Sequence, residues 1–217
     1  MKGVNIMKRI IAALCVALIA CMALAASAET VVRPQSDGIV KDLVAGKTFA
    51  ARVNGYATFG EAPNARYELS LVLCERERFA ASDIENLKPG DELICARGAY
   101  TVKAVNVDEY GYYIIDTTDY YDESLSCYKN EDGTYTISNQ NDYPFWRDAV
   151  GFDIRLDSDL VYSDWSDPEA DEPTKRTVDE LMKEVMDDRL FDANNTKVTF
   201  DENGKLTIFE CTYSPFN

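Results

Sequence analysis

Seven carboxylates fall within residues 157–172 with no base among them: Asp157, Asp159, Asp164, Asp167, Glu169, Asp171 and Glu172. Ca²⁺ takes six to eight oxygens at once, so Asp157, Asp159, Asp164, Asp167, Glu169 and Asp171 are the candidate calcium ligands. The D-x-[DN]-x-[DN]-G pattern with a distal Glu, which would make such oxygens converge, is absent. The plainer reading is a solvated acidic loop. Trp165 lies inside it, and an exposed indole has packing or a ligand to explain it.

A second group mixes rings with acids. Tyr110, Tyr112, Tyr113, Tyr120 and Tyr121 are interleaved with Asp108, Asp116, Asp119 and Asp122. A tyrosine ring suits the apolar face of a sugar and its hydroxyl the edge, while carboxylates accept sugar hydroxyls. These five tyrosines and Trp165 are the candidate ligand-binding residues, for a glycan or a protein. Strand propensity accounts for the same residues without a ligand. Tyr143-Pro144-Phe145-Trp146 is a further aromatic stretch, either a partner anchor or a cap on the core.

Catalytic machinery is scarce. The chain has no histidine, which removes Ser-His and Cys-His nucleophiles, His-based zinc sites and His proton shuttles. Cys127 or Cys211 would lack a base. Gly46-Lys47-Thr48 resembles the end of a P-loop, but the first glycine that motif requires is replaced by Lys41. Hydrolysis of a glycan by two carboxylates needs no histidine and stays open as an alternative function. No catalytic residue is assigned.

With 22 Lys+Arg against 38 Asp+Glu, the net charge of the 217 residues is −16. Such a chain lacks the cationic surface that phosphate backbones require, which excludes nucleic acid. It favours cationic partners, basic peptides and Ca²⁺ among them. No cofactor is implied, calcium being the one candidate.

Residues 1–28 read as a signal peptide. Lys2, Lys8 and Arg9 precede the apolar run Ile10–Leu24, and Ala26-Ser27-Ala28 supplies small residues at the cleavage site. Their removal takes away three bases and no acid, moving the net charge from −16 to −19. Leu18-Ile19-Ala20-Cys21 also resembles a lipobox, which would lipidate Cys21 and tether the protein to a membrane. The expected location is secreted or cell-envelope associated. Export permits disulfides among Cys74, Cys95, Cys127 and Cys211, although strand-like surroundings suit buried thiols equally.

The positioning elements are mostly strands. Tyr67, Leu69, Leu71 and Leu73 alternate with Glu68, Ser70, Val72 and Cys74, and Phe152, Ile154 and Leu156 alternate with polar residues. Ser82-Asp83-Ile84-Glu85 and Thr177-Val178-Asp179-Glu180 are capping boxes. The second opens an amphipathic helix near 177–190 carrying Val178, Leu181, Met182, Val185 and Met186 on one face. Asn130-Glu131-Asp132-Gly133 signals a hairpin. Asn203-Gly204 signals another across 197–213, in which a two-residue type I′ turn sets Lys197 opposite Glu210 and Val198 opposite Phe209.

Leu87-Lys88-Pro89-Gly90-Asp91-Glu92-Leu93-Ile94, followed by Gly98 and Tyr100-Thr101-Val102, resembles the core hairpin of small bacterial β-barrels. The whole chain resembles a loose group of small exported proteins of Gram-positive anaerobes, with a signal peptide, such a hairpin and an acidic C-terminal half. That resemblance implies no reaction and carries over no site residue. The expected fold is β-rich α+β with one or two short helices. It divides into a tether over 29–37, a small β-barrel-like subdomain over 38–118, and a β-rich subdomain with the helix over 119–217. The expected function is that of an exported, non-catalytic binding or interaction protein. A glycan hydrolase and a calcium-stabilised module are the alternatives.

Overall fold

A computed structural model describes residues 30–35, 44–61, 65–119 and 121–213. Residues 1–28, read above as a signal peptide and including Cys21, lie outside the described residues, as does Tyr120. In chain order the elements are β1 (Val31–Val32), β2 (Thr48–Phe59), β3 (Arg66–Arg76), α1 (Ala81–Glu85), β4 (Glu92–Cys95), β5 (Gly98–Val107), β6 (Tyr113–Thr117), β7 (Ser124–Lys129), β8 (Tyr135–Asn139), β9 (Trp146–Arg155), β10 (Val161–Trp165), β11 (Thr174–Arg176), α2 (Val178–Met186), β12 (Thr196–Phe200) and β13 (Leu206–Thr212). The fold is mostly β with two short helices, as the alternation of apolar residues implies.

The strands form two mixed sheets, ordered β1-β4-β5-β6-β7-β8 and β11-β10-β13-β12-β2-β3-β9. Neither sheet closes into a barrel, so the barrel-like expectation is corrected. The division at 118/119 is corrected too. β2 and β3 pair with β12 and β9 from the C-terminal half, and β7 and β8 complete the sheet begun by β4. Long-range pairing of this kind leaves no local sequence signature. The six-stranded unit is thus an insertion of β4 to β8 between β3 and β9, joined by β1 from before β2. Its entry and exit run side by side, with Glu77 N–H donating to the Phe145 carbonyl at 3.0 Å and Phe145 N–H to that of Ile137 at 3.0 Å.

Part of the expected tether is a strand. Val31 and Val32 pair parallel with Glu92 and Leu93, and Val32 is buried in the second core. The Lys88–Asp91 turn that launches β4 matches its sequence. Asp91 N–H returns to the Lys88 carbonyl at 3.1 Å, and Gly90 takes φ +94°, the left-handed position that a type II turn reserves for glycine.

Each sheet has its own core. The seven-stranded sheet buries Leu69, Leu71, Leu73, Val198, Phe200 and Phe209 with Leu181, Met182 and Val185 of α2. Burying side chains of this size contributes roughly 1.5–3 kcal/mol each. The Thr177 hydroxyl accepts from Glu180 N–H and the Glu180 carboxylate from Thr177 N–H, so this capping box is formed. Met186, expected on the apolar face, is exposed at the last turn. The Ser82 box does not form, because α1 begins two residues earlier than that cap requires, with Ala80 as its N-cap. The C-terminal register is as read, Lys197 opposite Glu210 and Val198 opposite Phe209. The turn is longer than two residues, however. Gly204 N–H closes on Asp201, Gly204 adopts φ +79°, and a bulge after Thr199 absorbs the extra residue.

Candidate binding cleft between the sheets

Leu69, Leu71 and Leu73 send alternate β3 positions into the core, which leaves Val72 and Cys74 on the opposite face. There Arg52 of β2 reaches across β3 to Asp148 of β9. Its Nη2 and Nε donate to Oδ2 at 2.6 Å and Oδ1 at 3.0 Å, and its Nη1 donates to Asn54 Oδ1 at 2.9 Å. This fork-to-carboxylate geometry holds Asp148 below the ordinary carboxylate range and raises Arg52. The pair forms one wall of a cleft of about 590 Å³, facing the inserted unit. A volume of this size suits a small ligand.

Trp146, the first residue of β9, extends that wall. Its Nε1 donates to Asn194 Oδ1 at 2.8 Å, and Arg76 stacks on the ring at 5.4 Å. Asp192 Oδ1 shapes the neighbouring loop by accepting from Asn194 N–H at 2.8 Å. The facing wall is built by two polar turns. Asp119 Oδ1 accepts from the N–H groups of Tyr121 and Asp122 at 2.8 and 2.9 Å, which lowers its pKa and presents Tyr121, 81% exposed, to the cleft. Asn139 Oδ1 accepts from the N–H groups of Asn141 and Tyr143 at 3.0 and 3.1 Å, setting Tyr143 on the same wall. Asp122 is buried and accepts from the Tyr100 hydroxyl at 2.9 Å. Arg97 stands at the β4–β5 turn, 3.9 Å from Asp122 Oδ1 and 5.6 Å from the Phe145 ring centroid.

The structure does not assemble the four described tyrosines, Tyr110, Tyr112, Tyr113 and Tyr121, into one face. Tyr113 turns into the second core, edge-on to Tyr135. Tyr112 packs on Tyr128 with ring centroids 5.2 Å apart, and Tyr110 is exposed at the β5–β6 turn. Tyr121 follows the other end of β6, which is why only it among the described four reaches the cleft. Trp165 ends β10, partly buried, beside a separate shallow depression shared with Pro168, Glu210 and Tyr213.

The acidic stretch is not a continuous loop, since β10 runs through it. Asp157 and Asp159 meet Lys205 at 3.2 and 2.8 Å. Asp164, with its side chain 2% exposed, lies 2.7 Å from Arg176 and 3.5 Å from Arg189. Burial pushes Asp164 up, but hydrogen bonds from Ser166 and the two arginines prevail, so its pKa is lowered. Glu184 of α2 completes this cluster, accepting from Arg176, Arg189 and, at 2.5 Å, the Tyr162 hydroxyl. Asp167 accepts from Glu169 N–H at 3.0 Å, and Glu169 and Asp171 point to solvent. Among the described residues no three acids or cysteines are grouped to hold a metal ion.

Cys74, Cys95, Cys127 and Cys211 are buried, unbridged thiols. Burial pushes Cys74 and Cys211 up to about 11 and Cys127 to about 12, and raises Cys95 as well. None is a ready nucleophile. No protein family, curated protein or solved structure matches the chain.

Sequence reasoning missed Arg52, Arg97, Asn139, Asp148 and Asn194. Their convergence depends on the insertion between β3 and β9. The local signal that did exist was the Tyr143–Trp146 stretch. Phe145 caps the core and is buried, as one reading of that stretch had it, whereas Tyr143 and Trp146 line the cleft.

Proposed function

We propose that this chain is an exported, non-catalytic binding protein whose ligand, a glycan, lies in the cleft between the two sheets. The observation that carries the reading is the composition of the facing walls. Trp146, Tyr143 and Tyr121 offer rings to sugar faces. Asn139, Asn141 and Asn194 offer amides to sugar hydroxyls. Asn139 is fixed beforehand by its own turn, and Trp146 and Asn194 by the hydrogen bond between them, which lowers the entropic cost of binding.

Hydrolysis is the less favoured function because a glycosidase keeps one carboxyl protonated. Asp148 is held ionised by Arg52, while Asp122 and Asp192 spend oxygens on Tyr100 and on loop N–H groups. A calcium-stabilised module is less favoured because Asp157, Asp159 and Asp164 already meet cationic side chains. The test is a glycan-array screen followed by calorimetry on the wild type and Trp146→Ala. Saturable binding that Trp146→Ala weakens at least tenfold supports the reading. Binding unaffected by Trp146→Ala places the ligand elsewhere.

A further inference from the structure

The hydrogen-bonding capacity left over in the cleft is lopsided. Most of its acceptors are committed, one oxygen of Asp192 and the Asn141 carbonyl excepted. Asp148 uses both oxygens on Arg52. Asp122 gives one to Tyr100 and faces Arg97 with the other. Asn139 and Asn194 use their carbonyls on Asn141, Tyr143 and Trp146.

The donors are not committed. Among the described residues, the side-chain amide nitrogens of Asn139 and Asn194 make no protein hydrogen bond. Arg97 makes none either. Its guanidinium, on a side chain 52% exposed, approaches Asp122 at 3.9 Å, covers the face of Phe145 and feels the charge of Asp119 without a hydrogen bond to either acid. An Arg fork carries five N–H donors matched to a carboxylate. A ligand that engages these donors brings acceptors, and an anionic acceptor suits Arg97 best.

We infer that the cleft takes a glycan bearing a single carboxylate, a uronic-acid residue, whose carboxylate docks on Arg97 while a neighbouring sugar covers Trp146. The inference rests on the glycan reading above and adds the ligand's charge. One carboxylate is the limit for two reasons. Arg52, the cleft's other guanidinium, is already neutralised by Asp148. The chain's net charge of −16 repels a polyanion over a distance that a short ligand with one charge largely escapes.

The experiment is calorimetry on the purified protein with matched pairs of gluco- and xylo-oligosaccharides, each with and without one glucuronic acid, and with polygalacturonate as the polyanion. The acidic member of a pair is expected to bind roughly 10- to 100-fold tighter than the neutral one, the worth of a charge-assisted hydrogen bond. Polygalacturonate is expected to bind more weakly than the singly charged oligosaccharide. Arg97→Gln should collapse the difference within each pair, and Arg97→Lys should restore part of it, keeping the charge but not the fork. Thermal midpoints of both variants should match the wild type, since Arg97 sits on an exposed turn. Equal binding of acidic and neutral members overturns the inference while the glycan reading stands. A preference that survives Arg97→Gln, or goes to polygalacturonate, also overturns it. Failure of every sugar to bind overturns the inference and the glycan reading together.

Discussion

Replacing Asp164 by asparagine separates a structural role for the acidic stretch from a metal-binding one. The side chain is 2% exposed and lies between Arg176 at 2.7 Å and Arg189 at 3.5 Å. Glu184 alone would then face both guanidinium groups. Breaking a buried ion pair by removing one partner costs about 3–5 kcal/mol. Arg176 and Arg189 keep 33% and 20% of their side-chain surface in water, so solvent recovers part of that and about 2–3 kcal/mol is expected. In a chain of this length each kcal/mol moves the thermal midpoint by roughly 2–4 °C. Asp164→Asn should therefore lower the midpoint by about 4–12 °C, already in EGTA, and millimolar Ca²⁺ should not alter the loss. The assay is thermal unfolding followed by far-UV circular dichroism at constant ionic strength. A wild-type midpoint that rises with Ca²⁺, together with an Asp164→Asn midpoint equal to wild type in EGTA, would refute the structural role.

Other consequences can be measured separately. Asp164 and Asp148 are both held below the ordinary range of an aspartate. Their stabilisation is complete above the unfolded pKa near 4 and lost as pH falls through the lower folded values. Urea midpoints should thus drop between about pH 5 and 2, and an Asp164→Asn chain should lose less over that window. Glu77 behaves oppositely, because burial raises it while its Oε2 lacks a partner. Its favourable contribution is present at low pH and lost as pH rises through its folded value. Glu77→Gln should accordingly raise the urea-derived stability at pH 7 by about 1 kcal/mol and change it little at pH 4. The four cysteines should react with a thiol reagent only after denaturation, and a native mass lower by two or more hydrogens would instead show a disulfide.

How much of this was legible in the sequence depended on range. β3 was readable because Leu69, Leu71 and Leu73 share one face. α2 was readable because Thr177 and Glu180 complete a capping box with an apolar stripe behind it. The C-terminal pairing was readable because Asn203-Gly204 marks its turn, although the bulge between Thr199 and Phe200 was not. The insertion between β3 and β9 was illegible, since the pairing of Leu71 with Phe152 joins segments that have no local mark of each other. The cleft inherits that illegibility. Arg52 and Asp148 are ordinary surface residues of separate strands until β3 brings them together. The crowding of acids around Asp164 misled for a related reason, as Arg176 and Arg189, which neutralise it, come later in the chain.

The central claim is that a glycan binds beside Trp146. The chain holds two tryptophans, so Trp165→Phe leaves Trp146 as the sole indole reporter. Titrating that variant with the tightest-binding oligosaccharide should shift its emission to shorter wavelength and saturate at the calorimetric affinity. The Trp146→Phe variant, reporting from Trp165, should show no saturable shift. The opposite pattern, an unmoved Trp146 and a saturable change at Trp165, would contradict the account and place the ligand at the shallow depression by Pro168.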